Sequence, residues 1–124
     1  MENPEPSMNP HQAPQNLIHP LPETGDQEAI DTLAEGPLLR IERIVSRGHR
    51  TPEGVWYDQP LDEWVALLQG EALLEIEGRP TPLRLIPGDW LMLPRGCRHR
   101  VTATQALEAT IWLAVHGDFA PKER

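Results

Sequence analysis

Cysteine, tyrosine and phenylalanine are scarce in this 124-residue chain, which contains one of each. Because Cys97 has no second cysteine to pair with, the sequence excludes the small secreted domains that depend on internal disulfides, and we expect a cytoplasmic protein. No apolar run approaches the roughly 20 residues that cross a bilayer. The start of the chain also lacks the basic residues and the apolar run of a signal peptide. The sequence therefore predicts a soluble protein without a membrane partner.

Basic residues are absent from the beginning of the chain. The first 36 residues contain seven acidic side chains and no Lys or Arg. The other 12 of the 19 acidic residues are balanced by all 11 basic residues, so the remainder of the chain is nearly neutral. Nucleic-acid binding requires a basic stripe that neutralises phosphates, and no such stripe is visible. We expect no nucleic-acid partner.

Aromatic residues are also missing from the N-terminal part of the chain, where six of the 14 prolines lie before Gly36. A segment with this composition cannot bury enough apolar surface to offset the entropy of ordering. We therefore predict that residues 1–15 form a disordered acidic tail.

Residues 16–36 form a second N-terminal segment in which a short helix is predicted. Thr24 and Gln27 have the spacing of a capping box. The apolar residues within 29–33 would give one helical face, and Gly36 would end the helix.

From Leu38 onward the chain changes to short apolar runs separated by Gly and Pro, a pattern typical of an all-β sandwich or barrel. Turn signals recur about every 8 to 12 residues, which favours a jelly roll over helix-bearing βαβ units. We assign residues 37–117 to one domain and residues 118–124 to a C-terminal tail. The predicted strands cover residues 39–45, 63–68, 72–77, 83–86, 90–93, 99–102 and 107–115.

Two spaced motifs are more specific than the composition. The first is Glu63 followed after six residues by Gly70, and the second is Gly88-x5-Pro94-x-Gly96-x2-His99. Together they resemble the paired signature of the cupin superfamily, in the form of small single-domain bacterial cupins with a type-2 conserved barrel. The resemblance covers roughly residues 38–116. It implies an all-β fold, the double-stranded β-helix or jelly-roll barrel.

The resemblance also implies a metal site. In the family pattern a Glu and a His, here Glu63 and His99, bind a divalent cation together with two histidines that precede the Glu with His-x-His spacing. Those two histidines are absent here. Depending on the length of the loop before Glu63, the positions of the two histidines are occupied by Trp56 and Asp58 or by Tyr57 and Gln59. Asp58 or Gln59 would then supply an oxygen ligand, and Fe, Mn, Ni and Zn all remain open as the metal.

Two functions remain open at this point. In the first, the pocket binds a divalent metal and a small oxygenated ligand, as in a small metalloenzyme, and Tyr57 is the candidate catalytic acid or base. In the second, the protein is a metal-free cupin that acts as a small-molecule sensor or a dimerisation module. The fold does not decide between them, so whether the chain is an enzyme is left open.

Two predicted strands carry apolar side chains on both faces, at residues 64–68 and 111–115. The inner face of a jelly roll buries only one set from each strand. A contiguous apolar patch on the other face usually marks an interface. We therefore predict a homodimer joined through outer sheet faces, with residues 26–33 as the alternative cover.

Overall fold

The computed structural model describes residues 13–119, which contain eight β-strands and no helix. No membrane-spanning helix is therefore present in that range. Residues 1–12 of the predicted disordered tail 1–15, and residues 120–124 of the predicted C-terminal tail, lie outside the described residues. The strands are β1 (Ala29–Gly36), β2 (Leu39–Ser46), β3 (Asp62–Gln69), β4 (Ala72–Ile76), β5 (Leu83–Leu85), β6 (Trp90–Leu93), β7 (His99–Thr104) and β8 (Thr110–Gly117).

The strands form two antiparallel sheets. One has five strands in the order β1-β2-β8-β3-β6, and the other has three in the order β5-β4-β7. The core contains side chains from both sheets, so the sheets pack face to face as expected of a jelly roll. Its buried members are Val65, Leu67, Ala72, Leu74, Leu85, Leu93, Trp112 and Ala114.

The helix predicted within residues 16–36 is wrong, because residues 29–36 form strand β1. This strand pairs with β2 from Ala29 opposite Val45 to Gly36 opposite Leu39, with one bulge. Without it, β2 would present an unpaired edge to solvent. The local capping pattern carries no information on this long-range pairing. The backbone hydrogen bonds and packing of the sheet override the local preference for a helix.

Side chains of β2 and of the residue that follows it contact the segment that precedes β1. Arg43 Nη1 donates to the carbonyl of Leu17 at 3.1 Å, and Arg47 Nη1 donates to the carbonyl of Pro22 at 3.0 Å. Two hydrogen bonds thus attach residues 17–22 to this side of the sheet, and these residues precede the segment 26–33 that was the alternative to a homodimer as its cover.

Candidate functional site

A cavity of about 240 Å³ lies between the two sheets. Much of its wall is apolar, formed by side chains such as Val65, Leu74 and Trp112. Tyr57 and Gln59 also line it. Its ionisable side chains, apart from Tyr57, are Glu28, Arg40, Glu42, Glu63, His99 and His116.

Strand register places three of these ionisable groups and one apolar residue in a single row on the five-stranded sheet. Arg40 of β2 lies opposite His116 of β8, His116 lies opposite Glu63 of β3, and Glu63 lies opposite Leu93 of β6. Directly opposed residues in antiparallel strands project from the same face, with Cβ atoms about 4.5–5.5 Å apart. The row therefore forms part of the cavity wall, and all four side chains line it.

His99 reaches the cavity from the facing three-stranded sheet, and its backbone holds the preceding loop in place. Its N–H donates to the carbonyl of Tyr57 at 3.1 Å, and the N–H of Tyr57 donates to the carbonyl of His99 at 2.8 Å. This bridge places Tyr57 and Gln59 against the cavity. Asp58 between them is exposed and does not line it.

The imidazole of His99 has a defined tautomer when it is neutral. Its Nδ1 lies 2.9 Å from the carbonyl oxygen of Cys97, which can only accept, so Nδ1 carries the hydrogen. Its Nε2 therefore carries a lone pair, and this atom lies 3.5 Å from Glu63 Oε1. Two lone pairs facing each other repel, so a proton or a cation between them stabilises the arrangement.

Glu63 is buried, with 8% of its surface exposed, and its Oε1 accepts no hydrogen bond within the protein. Burial lowers the pKa of His99, but the Glu63 carboxylate and the Cys97 carbonyl raise it by more, so the pKa of His99 lies above its ordinary value. The pair is therefore able to hold a proton when no other cation is present.

A second Glu–His pair lies in the same cavity. His116 Nε2 is 3.2 Å from Glu42 Oε1, and Arg40 Nε donates to Glu42 Oε2 at 2.7 Å. Both Glu42 and His116 are buried. Unlike Glu63, Glu42 has a partner on each carboxylate oxygen. These three residues were not predicted as part of the site, because His116 follows an apolar run and Arg40 and Glu42 alternate with apolar residues like ordinary surface residues.

The Glu63–His99 pair fits a divalent cation, but only as an incomplete ligand set. Two ligands each about 2.1 Å from a tetrahedral metal are about 3.4 Å apart, which matches the 3.5 Å between Nε2 and Oε1. Metal-binding histidines also donate their other ring N–H to a carbonyl or carboxylate, as His99 does. The amide oxygen of Gln59 would be a third, neutral ligand. Among residues 13–119, no group of three or more His, Cys, Asp or Glu side chains is arranged to hold a metal.

Asp62, next to Glu63, fixes the start of β3. Its Oδ1 accepts from the N–H of Arg95 at 2.8 Å, and its Oδ2 accepts from the N–H of Phe119 at 3.0 Å. These two backbone hydrogen bonds, with the Arg95 guanidinium, hold the pKa of Asp62 below its usual value. Asp62 thus ties the start of β3 to the loop before β7 and to the end of the described chain, which positions Glu63.

No family model and no curated protein matches this chain. Solved structures do. A protein of Ralstonia eutropha JMP134 with a provisional designation as a mannose-6-phosphate isomerase is 45% identical to this chain, with a TM-score of 0.83. That match covers 87% of this chain and 100% of the Ralstonia chain.

Two more distant structures show the fold alone. A cupin superfamily protein of Desulfitobacterium hafniense DCB-2 is 19% identical with a TM-score of 0.65, over 80% of this chain and 84% of that one. An RmlC-like cupin of Methanocaldococcus jannaschii, with a double-stranded β-helix fold, is 15% identical with a TM-score of 0.62, over 79% and 86%.

Proposed function

The chain belongs to the cupin superfamily, and from that premise we propose that its cavity binds a small oxygenated molecule with the help of a divalent cation held by Glu63 and His99. The observation that carries the proposal is Glu63 Oε1, which is buried, has no hydrogen-bond partner and faces His99 Nε2 at 3.5 Å. A buried carboxylate oxygen without a partner is costly in a structural role, but it is expected where a ligand completes the site.

Each side chain of the site would have its own role in binding. Glu63 and His99 would hold the cation, and Gln59 would add its amide oxygen. A cation bound there would act as a Lewis acid toward a carbonyl or hydroxyl oxygen of the ligand. Tyr57 is half exposed at the mouth, and its hydroxyl would donate a hydrogen bond to the ligand or exchange a proton with it. The apolar wall would exclude water from the ligand's carbon skeleton.

The second candidate is a metal-free pocket, and one observation favours it. Tyr57 and Gln59 line the cavity where the family pattern has its two histidines, so only two of the four family ligands are present. In that case Glu63 and His99 would share a proton and act together as an acid–base pair on the bound molecule. The isomerase designation of the Ralstonia protein is compatible with either candidate.

Metal titration of the full chain separates the two candidates. Protein purified without an affinity tag and stripped with chelator would be titrated calorimetrically with Zn²⁺, Mn²⁺, Ni²⁺ and, under anaerobic conditions, Fe²⁺. We expect one site, weakened at least about tenfold by Glu63→Gln and by His99→Gln, since each removes one of only two strong ligands.

Asp58→Asn is the matched control, because it neutralises an exposed carboxylate only five residues from Glu63. It should leave the affinity unchanged, and Gln59→Ala should weaken it. Equal losses in Asp58→Asn and Glu63→Gln would contradict the proposed ligand set. Absence of binding by all four metals to the wild-type protein would contradict the metal site and favour the acid–base pair.

A further inference from the structure

We propose that the cavity selects an uncharged, hydroxyl-bearing small molecule and rejects the phosphorylated form of the same molecule. This inference rests on the proposed function, because it concerns the ligand of the same cavity. It also separates this chain from the substrate class implied by the designation of its Ralstonia relative. Three features carry it: the balance of charge in the cavity, the lack of a phosphate cradle, and the suitability of hydroxyl groups for the Glu63–His99 pair.

The balance of charge in the cavity is unfavourable for an anion. Three carboxylates line it, those of Glu28, Glu42 and Glu63, whereas Arg40 is the one Lys or Arg that does so within the described range. Arg40 is already ion-paired with Glu42 at 2.7 Å. A divalent cation on Glu63 would bring the summed formal charge of the three carboxylates, Arg40 and the cation only to zero. A phosphate monoester, which carries about −1.5 to −2 at pH 7, would therefore meet no surplus of positive charge.

The cavity also lacks the donors that usually hold a phosphate. Phosphate sites use backbone N–H groups at helix N-termini or unpaired Arg and Lys side chains. Residues 13–119 contain no helix, so none of them supplies a helix N-terminus. The charge of the Arg40 guanidinium is paired with Glu42 through Nε, and the side chain of Arg40 is 41% exposed.

A hydroxyl-bearing ligand suits the Glu63–His99 pair with or without the cation, since a hydroxyl oxygen would complete the coordination of a bound metal. When no cation is bound, the ionised Glu63 carboxylate can only accept, and its Oε1 has no donor within the protein. Hydroxyl groups of a ligand would supply such donors, while its carbon skeleton would pack on Leu74, Val101 and Trp112. A volume of about 240 Å³ is smaller than the roughly 300–1,000 Å³ of sites for drug-sized ligands, so the ligand is small.

The test compares neutral molecules with their own phosphate esters. Binding of glycerol, D-mannose and D-fructose would be measured by ligand-observed NMR and calorimetry beside glycerol 3-phosphate, mannose 6-phosphate and fructose 6-phosphate, with Zn²⁺ and with EDTA. We expect at least one neutral compound to bind at least tenfold more tightly than its ester. Tighter binding of any ester than its parent, or binding of none of the neutral compounds, would overturn the inference.

A charge variant shows whether the carboxylates cause the selectivity. Glu28→Gln removes one negative charge from the cavity and keeps an oxygen that can accept from Ser46 Oγ, now 2.8 Å from Glu28 Oε2. It should reduce the ratio of neutral to phosphorylated affinity at least threefold. Glu35→Gln, on exposed β1 and away from the cavity, is the control and should leave the ratio unchanged. An unchanged ratio in Glu28→Gln would refute the electrostatic basis of the selectivity.

The outcomes for the metal site and for the ligand class are separable. Loss of metal binding in the titration, together with a preserved preference for neutral ligands in EDTA, would refute the metal site alone. Metal binding by Glu63 and His99, together with a preference for phosphate esters, would refute the ligand class alone.

Discussion

Substitution of Gly70 by Ala should destabilise the protein strongly, for two separable reasons. Gly70 has a φ of +89°, a conformation that costs a non-glycine residue about 1–3 kcal/mol. A Cβ placed on Gly70 would also lie 2.6 Å from the Cα and 2.9 Å from the Cβ of Thr110. Thr110 is fully buried at the start of β8, so the backbone would have to shift.

Forcing extra volume into a packed site costs about 1–3 kcal/mol. The sum for Gly70→Ala is therefore about 2–6 kcal/mol in the free energy of unfolding. In a domain of about 100 residues, each kcal/mol lowers Tm by about 4–8 °C. Thermal unfolding followed by circular dichroism, together with urea titration, would measure both quantities.

Gly78→Ala is the matched control for the close approach. Gly78 has a φ of +95°, but a Cβ there would meet no atom within 4 Å. This variant therefore carries the conformational cost of about 1–3 kcal/mol without the clash. Equal losses of stability in the two variants would refute the argument that the contact with Thr110 fixes glycine at position 70.

Two further predictions concern titration and assembly. The raised pKa of His99 means that its protonation stabilises the fold fully below pH 6.5 and that this stability is lost as pH rises through the raised value. In EDTA, the urea midpoint should fall as the pH rises from 6.5 through the raised pKa of His99, and His99→Gln should abolish this fall. A similar fall in the variant would contradict the role of His99. The predicted homodimer should give about twice 14.0 kDa by light scattering, and a monomer mass at high concentration would contradict it.

Most of the fold could be predicted from the sequence because its signals are local. The seven predicted strands correspond to β2 through β8, and the largest difference at a strand start is in the last one, which begins at Thr110 rather than at residue 107. Alternating apolar residues and Gly or Pro turns depend on neighbours within a few positions. Strand β1 was missed because its only strong determinant is pairing with β2, which no local pattern reveals.

The candidate site was less predictable, because it depends on side-chain direction in a loop. The motif spacing brings Glu63 and His99 together without further information. The sequence alone left open whether Asp58 or Gln59 accompanies them. The backbone bridge between Tyr57 and His99 fixes that orientation, and it joins residues 42 positions apart in the chain.

The two Glu–His pairs of the cavity differ in their hydrogen bonds, and we expect their chemical roles to differ accordingly. Glu42 is held on one side by Arg40 and on the other by His116, so its carboxylate has little capacity left for a ligand. Glu63 has one oxygen without a donor. Ligand binding should therefore concentrate at Glu63, while Glu42 mainly cancels the charge of Arg40. Glu42 pairs with the one guanidinium on the cavity wall among residues 13–119. Under the proposed function, the Glu42–His116 pair would therefore help to decide which ligand the Glu63–His99 pair can accept.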